Sequence, residues 1–358
     1  MSEQNWLSFA LTDVGKKRKV NQDAIYSDDN AKIWLVADGM GGHRDGDKAS
    51  QAIVAAMKSR KFSNTMAERV IEIEQLIRQL NDELQQYSKQ NLNGQNTGST
   101  LVLLTMCEGV CAIVWAGDSR CYRLAKGEIE QVSWDHSYVE EMLRAGKMAE
   151  EEAAASKMSN IITRAVGAHD ALFFDHVIFP YSDQETYLLC SDGLTNEMTD
   201  KDINEVISNY GCSQKSVDIL LATTLAHGAR DNVSIITVAS KQRRPINNSE
   251  RQLMANHTNS IRSISQTAFD NEIGLDEYYR LLKKQIDTAI QEHQQFKGQG
   301  TKETAAIVEP EKPIVLTATD RFQIPAMNAP KSKIDIQYVL FAFALITLLS
   351  VLFYLFTL

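Results

Sequence analysis

The chain has 358 residues, 44% of them hydrophobic and 23% charged, with a net charge of −9. That composition belongs to a globular protein with a sizeable core and excludes a disordered chain. The acidic balance, relieved only by one short basic cluster at 16–19, argues against nucleic acid as a partner.

Met1 to Ala10 lacks the basic-then-apolar pattern of a secretory leader. The five cysteines (Cys107, Cys111, Cys121, Cys190, Cys212) form no Cys-x-x-Cys pair and lie among apolar residues, so they read as reduced core thiols of a cytosolic domain. In chain order, "VGKKRKVNQD" sets Arg18 five residues before Asp23, and "KIWLVAD" reads as a buried strand that stops at Asp38, followed by Gly39, Gly41 and Gly42. Helices are predicted over 47–60 and over 67–90, the second with a stripe of Val70, Ile73, Ile77, Leu80 and Leu84. An antiparallel meander follows, with turns at 107–109 and 125–128. A helical stretch is expected over 137–156, then the strand "TYLLCSD", two helices, and the closing strand "NVSIITVAS". Strands joined by hairpins and helices grouped in pairs predict an α+β domain over 1–240: antiparallel sheets flanked by helices.

The texture changes after Ser240. Residues 241–335 are polar and hold four of the six prolines shortly before the last segment, which predicts a linker. Within it, 274–296 repeats Tyr279, Leu282, Ile286 and Ile290 at helical spacing; a juxtamembrane or self-associating helix and a surface helix with no partner are both open. Residues 336–358 contain no charge, and 23 residues at about 1.5 Å each cross a hydrocarbon core of about 30 Å. A core helix is the plainer reading. A membrane anchor suits so long a run at the chain's end, and Lys331 and Lys333 before it favour a cytoplasmic domain upstream.

Three apolar runs each deliver a carboxylate where the strand stops: Asp38, Asp118 and Asp192. A fourth, Asp231, stands just before a strand. One such aspartate is ordinarily a turn or cap residue. Four of them, gathered near a core, would repel one another and need a cation. With no histidine or cysteine in these motifs, the donor set suits Mg²⁺ or Mn²⁺ rather than zinc. Arg18 offers the two parallel donors a phosphate takes, or else forms a solvated basic turn.

Six motifs, "RKVNQDAIY", "LVADGMGGH", "NTGSTLVLL", "AGDSRCYRL", "LLCSDGL" and "ARDNVSIITV", stand in the order found in metal-dependent protein Ser/Thr phosphatases of the PP2C type, and over about 7–239 the chain resembles their bacterial branch. The resemblance implies a β-sandwich of two antiparallel sheets with helices outside, and a centre of two or three Mn²⁺ or Mg²⁺ ions. It implies Asp38 as the bridging ligand, Gly39 as a carbonyl ligand, and Asp192 and Asp231 as ligands of the core site. Asp118 would serve a third ion, Arg18 would bind phosphate, and Gln22 and Asp23 would lie in the outer shell. Water activated between two ions would then attack phosphorus in line, with no phosphoenzyme. The partners would be phosphorylated proteins opposed by a Ser/Thr kinase, met at the inner face of a bacterial membrane.

Two positions depart from the family pattern. Met40 stands where some members carry a histidine that could protonate the leaving alcohol, and methionine cannot donate; a metal-bound water or His43 could replace it. Gln22 stands in place of a common glutamate. Gly41 and Gly42 would leave room for a phosphorylated side chain. Residues 137–167 match the family's variable flap, whose Glu150, Glu151 and Glu152 either shape substrate choice or form a solvated face. A pseudophosphatase that binds a phosphoprotein without hydrolysing it is the alternative function.

Overall fold

A computed structural model describes residues 6–40, 45–92, 97–156, 158, 161–181, 184–241 and 274–300. In chain order the described elements are β1 (Trp6–Asp13), β2 (Asp23–Asp28), β3 (Ile33–Met40), α1 (Gly46–Lys58), α2 (Met66–Asn91), β4 (Gly98–Ser99), β5 (Leu101–Cys107), β6 (Val110–Ala116), β7 (Arg120–Ala125) and β8 (Glu128–Gln131). There follow α3 (Tyr138–Arg144), α4 (Glu150–Ala155), β9 (Asp175–Pro180), β10 (Thr186–Cys190), α5 (Asp192–Thr195), α6 (Asp200–Tyr210), α7 (Gln214–His227), β11 (Val233–Ser240) and α8 (Leu275–Gly300).

Two antiparallel sheets carry the fold. One runs β1-β11-β10-β7-β8; the other runs β2-β3-β5-β6-β9, with β4 paired to β3. The expected pair of antiparallel sheets flanked by helices is therefore present. Strands β3, β5 and β6 are apolar along almost their whole length because both faces are covered, by the opposite sheet and by α1 and α2. Helices α6 and α7 cover the other sheet. Each of these two starts on a side chain that caps its first turn: Thr199 with Asp202 for α6, Ser213 with Ser216 for α7.

The meander turns are two-residue loops. Glu108-Gly109 joins Cys107 to Val110, and Lys126-Gly127 joins Ala125 to Glu128. All four loop residues have φ between +52° and +82°, the left-handed pair that matches strand twist in a tight hairpin. The expected single helical stretch over 137–156 is broken. Gly146, at φ +65°, ends the turn after α3, so α3 and α4 are separate. Strand β9, which the sequence did not declare, ends at Pro180 on the sheet edge, where a missing N–H costs no ladder bond.

Helix α8 is not free of the domain. It belongs to the same compact unit as the sandwich and buries Tyr278, Leu282, Ile286, Ala289 and Ile290 against α2. The reading of a surface helix with no partner fails here, because its apolar stripe meets that of α2. Residues 336–358 lie outside the described residues; among the described residues no helix is long and apolar enough to cross a membrane.

Candidate active site

Strands β2 and β3 pair so that Asp23 faces Asp38. The ends of β6 and β10 and the start of β11 bring Asp118, Asp192 and Asp231 toward that pair. The grouping registers electrostatically. Burial first, then Asp23, Asp192, Asp118 and Asp231, push the Asp38 carboxyl well above its usual range. Burial and Asp192 lift Asp118 to about 8. Burial lifts Asp23 to about 6 against a hydrogen bond from Ser191, and burial with Asp231 raises Asp192.

Second-rank contacts, largely absent from the sequence reading, hold these carboxylates. The Asp38 backbone is fixed from both sides: its N–H donates to Thr100 Oγ1 at 3.1 Å, and its carbonyl accepts from Thr100 N at 2.8 Å and Ser99 Oγ at 3.0 Å. Thr100 Oγ1 in turn lies 2.7 Å from Ser119 Oγ, beside Asp118. Ser191 Oγ donates to Asp23 Oδ2 at 2.8 Å. On the other side of the Asp118 turn, Gly117 N–H donates to His136 Nδ1 at 3.1 Å and Gly117 O accepts from His136 N at 2.9 Å. His136 Nδ1 is thus an acceptor, which puts the ring proton of the neutral tautomer on Nε2, toward Asp175.

Gly39 is glycine for a reason the sequence did not disclose. A β-carbon there would sit 2.2 Å from Gly46 O and 2.5 Å from Gln22 O. Its N–H donates to Gln22 O at 3.0 Å, so the backbone of Gln22 holds Gly39 in place. Gly193 is as tightly seated, with Asn232 O 1.9 Å from a β-carbon position.

Arg18 reaches the site from the loop between β1 and β2, its Nη2 2.6 Å from Asp231 Oδ2. Both side chains are partly exposed, so solvent screens the pair. The loop itself is held by Asn232, whose Nδ2 donates to Val14 O at 2.9 Å and Val20 O at 3.1 Å while its Oδ1 accepts from Gln22 N at 2.8 Å. The buried Asn232 was not singled out in the sequence, although "RDN" placed it next to Asp231.

Asp23 Oδ1, Asp118 Oδ1 and Asp192 Oδ1 are buried without a hydrogen-bond partner, which a hard cation would supply. Among the described residues no three His, Cys, Asp or Glu side chains stand as a ready ligand cluster. In an oxygen-rich site, backbone carbonyls and water supply the remaining donors. The residues therefore fit Mn²⁺ or Mg²⁺. Met40 pairs with Gly98 at the end of β3; Gly41, Gly42 and His43 lie outside the described residues. In the segment expected to be the flap, Ser137 caps α3 by accepting from Glu140 N, and Glu150, Glu151 and Glu152 are exposed.

A pH dependence follows. Because these carboxyls are raised in the fold, the folded protein keeps protons that the unfolded chain has already lost, and that contribution disappears as pH rises through about 6 and then about 8. Metal-free protein is expected to melt at a lower temperature at about pH 8.5 than at about pH 6, with Mn²⁺ narrowing the gap. A metal-free melting temperature that climbs across that window would count against a bare carboxylate cluster.

A profile of the family described as protein phosphatase 2C matches residues 15–227. The chain belongs to the protein phosphatase 2C family. It is 33% identical over 234 residues to the serine/threonine phosphatase stp of Listeria monocytogenes, covering 63% of this chain and 93% of that protein. Among solved structures, PppA of Pseudomonas aeruginosa superposes with a TM-score of 0.60 at 34% identity, covering 66% of this chain and 98% of that one. The catalytic domain of the phosphatase PstP, in complex with two manganese ions, superposes with a TM-score of 0.59 at 26% identity, covering 66% of this chain and 99% of that one. This member of the protein phosphatase 2C family is accordingly a protein phosphatase, and the matched segment stops short of α8.

Proposed function

We propose that the chain hydrolyses phosphoserine and phosphothreonine in proteins at a centre of two, or three, Mn²⁺ or Mg²⁺ ions, and that residues 336–358 tether it to the inner membrane with the catalytic domain in the cytoplasm. The observation that carries the catalytic reading is the convergence of Asp23, Asp38, Asp118, Asp192 and Asp231, with three buried oxygens lacking donors, beside the guanidinium of Arg18. Asp38, the Gly39 carbonyl, Asp192 and Asp231 would hold the core ions, and Asp118 with Asp192 a third. When bound, the ions supply an activated water and neutralise phosphoryl charge.

The residues of the chain do the rest. Arg18 pairs with Asp231 from an exposed loop, so the guanidinium is within reach of an anion entering the site and presents it with two parallel N–H groups. Asp23, buried opposite Asp38, accepts a hydrogen bond from Ser191 that fixes it beside the other carboxylates. Gln22 contributes through its backbone, which fixes Gly39. Retention of Asp38, Asp118, Asp192 and Asp231 disfavours the pseudophosphatase alternative. The relatives' names support phosphoserine and phosphothreonine as substrates, and the Mn²⁺-bound PstP domain supports the choice of metal.

The test is release of phosphate from a phosphothreonine peptide by the full chain with Mn²⁺; no turnover at millimolar metal, with peptide binding retained, would establish the pseudophosphatase instead. For the tether, membrane fractionation of the full chain and of a chain lacking 336–358 decides. If both sediment with membranes, the anchor is not there.

A further inference from the structure

Helix α8 lies beyond the family match yet inserts into a buried charged group of the catalytic domain. Tyr278 Oη donates to Glu74 Oε1 at 2.9 Å, and the same oxygen lies 2.5 Å from His176 Nε2 on β9. Arg78 Nη2 stands 3.2 Å from the other oxygen. Glu74 and His176 are fully buried. Burial opposes the charge on Glu74, but His176 and Arg78 outweigh it and hold the carboxyl below its usual range. The Arg78 guanidinium lies over the rings of Phe173, Phe174 and Tyr278, and its Nη1 donates to Leu172 O. Removing one member of such a set leaves the others buried and underpaired, a larger penalty than any surface pair carries.

The same face of α2 grips the chain leaving the flap. Gly167 N donates to Asn81 Oδ1 at 2.7 Å, and Asn81 Nδ2 donates to His169 O at 3.0 Å. That chain is also bound to the site at two points. Val166 exchanges backbone hydrogen bonds with Ser99, whose Oγ donates to the Asp38 carbonyl. Asp175 lies between Arg164 Nη1, at 3.1 Å, and His136 Nε2, at 3.4 Å, and His136 holds Gly117 beside Asp118. Residues 161–176 are thus fastened on one side to α2 and on the other to the backbones that aim Asp38 and Asp118.

We propose that α8 is a positioning element of the flap: Tyr278 fixes Glu74 and Arg78, and through them the 161–176 segment that forms the base of the flap. The proposal rests on the phosphatase reading for its kinetic consequence, but not for its structural one. A phosphoprotein must lie along the flap, whereas a small aryl phosphate need only reach the carboxylates. Loosening 161–176 therefore weakens the first substrate and largely spares the second.

The experiment compares the full chain with Tyr278→Phe, which keeps the ring and removes the hydroxyl. Three readings are taken with each: amide hydrogen exchange over 161–176, KM and kcat for a phosphothreonine peptide and for an aryl phosphate, and the melting temperature. Exchange is expected to quicken by about fivefold or more, and KM for the peptide to rise by about fivefold, with kcat for the aryl phosphate within about twofold. Unchanged exchange over 161–176 overturns the proposal, and so does a loss shared equally by both substrates. Since exchange is read without turnover, an inactive wild-type chain would sink the phosphatase reading while still deciding this one. If Tyr278→Phe does not fold, Ile286→Val, which trims one methyl from the buried face of α8 and leaves Tyr278 in place, is scored on the same readings.

Discussion

Asp38→Asn is expected to lower phosphate release by about a thousandfold or more, ~4 kcal/mol of barrier, without unfolding the protein. Asp38 is pressed by four other carboxylates and by burial. Asparagine keeps the shape, and the backbone contacts to Thr100 and Ser99 do not involve the side chain. Removing one like charge from a crowded group relieves repulsion in the metal-free state. The metal-free variant should therefore melt at or above the wild-type temperature, while calorimetry detects a loss of Mn²⁺ binding. Wild-type turnover by the variant would remove Asp38 from the centre. A variant that fails to fold would show that the carboxylate serves structure instead.

Arg18→Ala is expected to cost about a hundredfold in kcat/KM, ~2.7 kcal/mol, carried mostly by KM if the guanidinium grips phosphate equally before and during the reaction. Arg18→Lys should recover little, since an ammonium cannot offer two parallel donors. Stability should barely change, because the pair with Asp231 is half in solvent. Steady-state kinetics on a phosphothreonine peptide checks both. Equal activity of the Ala, Lys and Arg proteins would leave Arg18 as a solvated turn residue.

The carboxylates were legible because each stands at a change of texture: an apolar run must stop somewhere, and a charge at the stop is visible in one dimension. The two sheets were legible for a related reason, since tight Gly-containing turns announce hairpins. What stayed hidden are contacts made across the chain. Asn232 holds Val14 and Val20, more than two hundred residues earlier, and nothing about a lone asparagine reveals that. Thr100 and Ser119 lay inside quoted motifs, but their mutual contact exists only once β5 and β6 are paired. Gly39 stood out as a glycine beside a carboxylate, but the close approach of Gly46 and Gln22 to it is made only in the fold. The stripe on α8 was visible, but a stripe does not name the face that covers it. Glu74 gave no sign, since a charged residue on an amphipathic helix ordinarily faces water.

Strand β1 pairs along its whole length with β11, Trp6 opposite Ser240 and Asp13 opposite Val233. The first described strand is therefore joined to the last described one, and its partner emerges from the ribosome only after some 220 residues of intervening chain. Until then one sheet cannot close, and both the loop bearing Arg18 and the apolar face of β1 wait without Asp231 or Asn232 to hold them. Long-range pairing of this kind makes folding slow and late. The site that removes phosphate consequently comes into being as one of the last events of the domain's synthesis, and a nascent chain cut short before β11 holds most of the sandwich but no complete centre.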